Sequence, residues 1–139
     1  MSGELTQHGA NRAAQAGVGE AVAASPGIYL ALATAQPGSP DTDTLATFAG
    51  NEIATAGYAR TAVSWGSPTG DPSEIANDAA IEFGPFTADP PNVTHCFLTD
   101  ASTGTVGNVL AYWTLDTARD GVTDDWLRFG IGSLTLSVD

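Results

Sequence analysis

Lysine is missing from this 139-residue chain, and only four arginines oppose sixteen acids, for a net charge of −12. That balance argues against a surface that grips DNA or RNA, because phosphate binding needs clustered cations. It argues equally against an anionic membrane, which attracts basic segments. Neither nucleic acid nor membrane is therefore expected as a partner. An acidic surface suits a soluble particle or a basic partner. Arginine in place of lysine fits a GC-rich genome. Charged residues of all kinds reach only 14%, against the usual ~25%, so the surface is built largely from Thr, Ser, Asn, Gly and Ala. There is one cysteine, Cys96, which excludes an intrachain disulfide. No apolar run reaches the ~18 residues that a membrane helix needs. The opening MSGELTQHGANRAAQAG has no cationic stretch leading into an apolar core, so no signal peptide is expected. Synthesis and folding are expected in a cytoplasm.

What is present fits one domain. Hydrophobic residues make up 42%, and a chain of this size buries roughly two thirds of its unfolded surface. It needs neither metal nor disulfide to fold.

Residues 1–25 differ from the rest and read as an N-terminal helical arm. Leu5, Ala13, Ala16 and Val22 can line one helical stripe. Thr6 is a fitting N-cap. Gly9, Gly17 and Gly19 weaken the helix, each by about 1 kcal/mol against Ala in a helix interior. One short helix over residues 5–16 is expected, too short to stand alone in water. It must dock on something.

Residues 26–139 read as strands and turns. IYLALAT (28–34) is apolar on both faces and should be buried. Residues 35–57 form a long loop. YARTAVSW (58–65) alternates, a short strand is expected near Ile75, and AAIEFGPFT (79–87) is a strand with a Gly-Pro break. NVTHCFLTD (92–100) leads through a turn, ASTGTVG (101–107), into NVLAYWTL (108–115). DTARDGVTDD (116–125) is an acidic loop. WLRFGIG (126–132) and SLTLSVD (133–139) close the chain. Seven or eight short strands with turn signals between them predict a mainly β fold, a single sandwich of mostly antiparallel strands.

Cys96, His95 and Asp100 stand close together in sequence and invite a nucleophilic reading. Strand alternation puts Val93, His95 and Phe97 on one face, and Thr94, Cys96 and Leu98 on the other. His95 and Cys96 therefore cannot pair with each other. Cys96 reads as a small buried hydrophobe, and Asp100 as a turn residue. His8 lies in the arm, away from Cys96. In DTARDGVTDD, Asp116, Asp120 and Gly121 fit an EF-hand register, but Ala118 and Leu127 stand where ligands are required. A looser calcium site from Asp120, Asp124 and Asp125 is the weaker reading, beside a plain solvated loop. Asp41 and Asp43 form a similar acidic loop. Asn92 begins a short glycosylation match that carries little. The chain offers no phosphate loop, metal cluster or nucleophile elbow. No catalytic activity, cofactor or metal is expected.

The aromatic residues and the arginines are the better candidates for contacts. Trp65, Trp113 and Trp126, with Tyr29, Tyr58 and Tyr112, read as core or subunit interface, and sugar stacking is the weaker reading. Arg60 and Arg128 should each pair with a carboxylate at a sheet face or subunit contact. With Leu5 and Arg12 from the arm, the candidate interface set is Leu5, Arg12, Tyr58, Arg60, Trp65, Trp113, Trp126 and Arg128.

The order of motifs carries a resemblance over nearly the whole length. It runs through GAN (9–11), IYLALATAQPG (28–38), GYARTAVSWGSPTG (57–70), the long IEFGPFTADPPNVTHCFLTDASTGTVGNVLAYWTL (81–115) and RFGIGSLTLSVD (128–139). The chain resembles small β-rich virion proteins of tailed bacteriophages, especially phages of actinobacteria, described as tail fibre, minor tail or minor capsid proteins. Each motif is a structural pattern, and none is catalytic. The resemblance implies a sandwich that works by assembling on the virion. Its first form is a capsid decoration protein, a homotrimer that bridges the major capsid protein and cements the shell, with the arm lying across a neighbour. The alternative is a tail fibre or baseplate component that meets the host surface, by carbohydrate binding in one version. The lack of a fibrous repeat or heptad favours the shell.

Overall fold

Residues 1–21, 27–36, 39 and 44–138 are described by the computed structural model of this chain, without the side chain of Val138. The strongest apolar alternation sits at its centre. β2 (Tyr29–Ala33) pairs with β6 (Val93–Thr99), and β6 pairs with β7 (Val109–Arg119), all antiparallel. Leu30 and Leu32 of β2 turn to one face, and Ala31 and Ala33 to the other. Both faces are buried, as the near-continuous apolar run of β2 requires.

The main core lies on the first face. It joins Leu30, Leu32, Cys96, Leu98, Ala111, Trp113 and Leu115 to Ile81, Phe83 and Phe129. The last three come from β5 (Ile81–Phe83) and β8 (Leu127–Phe129), which form a separate two-stranded sheet. That small sheet packs as the second layer.

The opposite face is covered by α2 (Leu45–Ala49), whose Leu45 and Phe48 are 1% exposed and pack with Ala31, Phe97 and Tyr112. Phe48 meets Phe97 edge-on at 5.4 Å. A five-residue helix has no stability of its own. Burying Phe48 and Leu45, at roughly 1.5–3 kcal/mol each, is what holds it. The long loop expected over residues 35–57 thus contains a helix. The Asp41 and Asp43 reading lies outside the described residues, as does Val22.

The large sheet curls through seven strands in the order β3-β2-β6-β7-β1-β9-β4. Here β1 is Ser2–Leu5, β3 Thr61–Ala62, β4 Ser73–Ala76 and β9 Thr135–Val138. Its neighbours are antiparallel except β1 and β9, which run parallel. The mainly β sandwich with a short N-terminal helix is present, with nine strands among the described residues.

Three local expectations are corrected. First, the chain start is not an arm. β1 is inserted between β7 and β9, with Glu4 opposite Tyr112 and Gly3 beside Leu136. A Cβ on Gly3 would stand 2.3 Å from the Trp113 ring. The bare backbone at residue 3 lets the Trp113 indole cross β1 and donate from Nε1 to Thr135 O at 3.0 Å. The helix then begins two residues later than expected, α1 spanning Gln7–Gly17. Thr6 is its N-cap, accepting from Gly9 N at 3.2 Å. Second, β7 does not stop at Leu115 but runs on to Arg119, which pairs with Val93. Backbone pairing, and no buried side chain, carries Asp116–Arg119. Third, Val93 does not share a face with Phe97. The register between β6 and β7 shifts between Val93 and His95. Such a bulge re-phases the alternation, and Val93 joins Cys96 and Leu98 in the main core.

Candidate functional site

The His95, Cys96 and Asp100 trio is dispersed by the fold. Cys96 lies in register with Leu32 and Trp113 and is fully buried. Burial pushes its thiol well above the usual range. His95, on the other face, shares a 2.8 Å hydrogen bond between its Nδ1 and Thr94 Oγ1. Burial lowers its pKa. Asp100 closes the β6–β7 hairpin, accepting from Asn108 N at 2.7 Å and from Asn108 Nδ2 at 2.8 Å. Burial opposes its ionisation, but the Asn108 hydrogen bonds and the nearby His8 outweigh burial and hold its carboxyl below the usual range.

The acidic loop after β7 is held by its own backbone. Asp125 accepts from Val122 N at 3.0 Å, and Asp89 accepts from Thr123 N at 2.8 Å. Among the described residues, no three His, Cys, Asp or Glu side chains gather as a metal site would need.

The eight candidate interface residues divide sharply. Arg60 and Tyr58 form an internal clamp. Arg60 holds Glu52 by a fork, Nε to Oε1 at 2.9 Å and Nη2 to Oε2 at 2.7 Å. Its remaining donors reach Ala101 O at 2.9 Å and Gly104 O at 2.8 Å. The Tyr58 hydroxyl donates to Glu52 Oε1 at 2.7 Å and accepts from Leu32 N at 3.0 Å. Burial, with Glu52 adding, raises the Tyr58 pKa far above its usual value. The side chains of Arg60 and Glu52 are only 4% and 13% exposed. The clamp ties the segment after α2 to the hairpin tip that follows β6. Arg60 does find its carboxylate, and it is one of the same chain.

Trp113 is 1% exposed and stacks on Trp65 with ring centroids 6.1 Å apart. Both indoles therefore serve the interior, and Trp113 has no surface to offer a partner. Leu5 packs against the main core from β1, half-buried. Arg12 is half-buried on α1. Only Trp126, 57% exposed, and Arg128 stand open at the surface. Arg128 pairs with Glu82 at 3.4 Å, and both side chains are more than half exposed. Val122 and Ile131 are exposed apolar residues in the loops on either side of β8.

The two exposed candidates thus stand at the end of the molecule built by the tail of β7, the loop 120–126 and β8. Sequence reasoning named Trp126 and Arg128 there but missed Arg119. The mostly polar run Asp116–Arg119 reads as loop, and the signal for a strand is its continuity with the apolar half of β7.

Residues 4–137 match the protein family described as podophage GP4 fiber I protein gp80, and no curated protein matches the chain. The chain belongs to that family of phage virion proteins.

Proposed function

We propose that this chain is a structural subunit of a virion fibre, working through assembly contacts and without catalytic chemistry. The family match over residues 4–137 carries the reading. The internal use of Cys96, Asp100, Arg60 and Trp113 supports it, since these residues serve the fold. The partners are then further copies of the chain, in a homotrimer, and neighbouring tail proteins. The decoration role on the major capsid protein has no support in a fibre family, and we set it second. An arm reaching a neighbour is set aside with it, because residues 2–5 complete the chain's own sheet.

Electron microscopy of virions labelled with an antibody against this chain tests the placement. Label confined to the tail fibres is the expected result. Label spread over the shell would overturn the fibre reading and restore the decoration one. Light scattering on the purified chain tests the trimer.

A further inference from the structure

Arginine is scarce in this chain, so the place where two of the four gather is informative. Arg119, the last residue of β7, and Arg128, in β8, line one groove of about 350 Å³, with Asp116, Thr117 and Phe129 among its walls. The same two arginines line an adjoining depression of about 100 Å³ that includes Trp126 and Pro90. The arginines thus stand between a polar groove and an exposed indole.

Both guanidinium groups are available. Arg119 is exposed, and its side chain has no hydrogen-bond or ion-pair partner among the described residues. Arg128 reaches Glu82 only at 3.4 Å, with 64% and 52% of the two side chains exposed. A pair of that kind is worth at most about 1 kcal/mol and exchanges readily for a better acceptor. Elsewhere on the molecule the contrast is plain, since each of the three guanidinium nitrogens of Arg60 is already engaged.

We infer that this groove and the adjoining depression together bind a sugar acid, a pyranose bearing one carboxylate and several hydroxyls. A guanidinium fork matches a carboxylate in plane and by two hydrogen bonds. The exposed face of Trp126 offers an apolar platform with a polar edge, suited to the C–H face of a sugar ring. A groove near 350 Å³ falls within the ~300–1,000 Å³ of small-molecule sites. The acids decide what kind of anion fits. Asp116 and Asp120 stand at the rim, where they accept from hydroxyls and repel a densely charged polyanion. Asp125, also in the depression, already accepts from Val122 N. One carboxylate surrounded by hydroxyls satisfies this arrangement, and a nucleic acid does not. The inference goes beyond the fibre reading, because it concerns the isolated chain wherever that chain sits in the virion.

The test is a titration of the ¹⁵N-labelled full chain, followed by NMR, with sodium D-glucuronate, its neutral methyl ester and D-glucose. Saturable shifts of the Trp126 indole N–H and the Arg119 side-chain N–H are expected with glucuronate. The ester and glucose should bind at least about tenfold more weakly. Arg119→Gln and Trp126→Ala should each weaken glucuronate by a similar factor while leaving the urea midpoint unchanged, since both residues are exposed. Absence of a saturable shift would overturn the inference, as would equal binding of glucose. A change in oligomeric mass on Arg119→Gln, seen by light scattering, would overturn it too, by assigning the groove to an acidic segment of a second copy.

Discussion

Gly9→Ala puts two physical arguments in direct opposition. Helix propensity says that Ala in α1 should gain about 1 kcal/mol over Gly. Packing says the reverse. A Cβ on Gly9 falls 2.0 Å from Leu110 O, far inside the 3.4 Å at which ordinary contact begins. That oxygen cannot retreat cheaply, because it accepts from Thr6 N at 3.0 Å. The helix must lift instead. Lifting strains the cap, in which Thr6 Oγ1 donates to Val109 O at 2.5 Å and accepts from Gly9 N. Overpacking of this kind costs about 1–3 kcal/mol, and a damaged N-cap about 1 kcal/mol more. Set against the propensity gain, the variant should lose about 1–3 kcal/mol. That is a large share of a typical total of about 5–15 kcal/mol. Gly17→Ala is the internal control. It lies in the same helix, and nothing stands within 4 Å of its added Cβ. It should gain up to about 1 kcal/mol. Urea unfolding at neutral pH reads both, with the slope against urea unchanged. Two variants shifting the same way, or a stabilised Gly9→Ala, would refute the claim that residue 9 is Gly because β7 passes beneath it.

Three further outcomes follow from the same structure. Arg60→Ala leaves the Glu52 carboxylate without its fork in a setting only 13% exposed, so it should cost about 3–5 kcal/mol. A double-mutant cycle with Glu52→Ala should show strong coupling, and additive effects would contradict the clamp. Asp100 ionises below its ordinary value of 3.8 in the folded chain, so its contribution is complete above that value and is lost as pH falls through the lower folded one. The stability advantage of the native chain over Asp100→Asn, compared at equal pH by thermal unfolding, should therefore shrink below pH 3.8. An advantage that grows there contradicts the sign. Cys96, fully buried with its thiol pushed up by burial, should resist a thiol reagent in buffer and react fully in urea. Rapid native labelling would place it at the surface.

The residues that carried the fold reading are those whose pattern is local. Leu30, Leu32, Cys96, Leu98, Trp113 and Leu136 sit in the main core, where strand alternation and apolar runs put them. Thr6 caps the helix as its side chain and position suggested. The failures come from places where a neighbour supplies the stabilisation. Ser2–Leu5 has a glycine and two polar residues in four positions. It is a strand because β7 and β9 supply hydrogen bonds on both sides. Leu45–Ala49 is a helix because a groove beside Phe97 and Tyr112 accepts Phe48.

The contact residues divide along the same line. A tryptophan and an arginine in a chain poor in arginine were visible as contact candidates, Trp126 and Arg128, but the exposure of Trp126 came only with the structure. Arg119 was not, since nothing in its own neighbourhood marks it as part of a strand. By itself the sequence determined the acidic, lysine-free surface, the mainly β architecture, the dispersal of cysteine from histidine and the capped first helix. These depend on composition and on periods of two or four residues, which each segment carries within itself. Tertiary structure alone decided that the chain start completes the sheet, that Arg60 turns inward to Glu52, and that Arg119 and Arg128 share a groove. Those pairings join residues far apart along the chain, and no local pattern encodes which distant backbone will supply the missing hydrogen bond or charge.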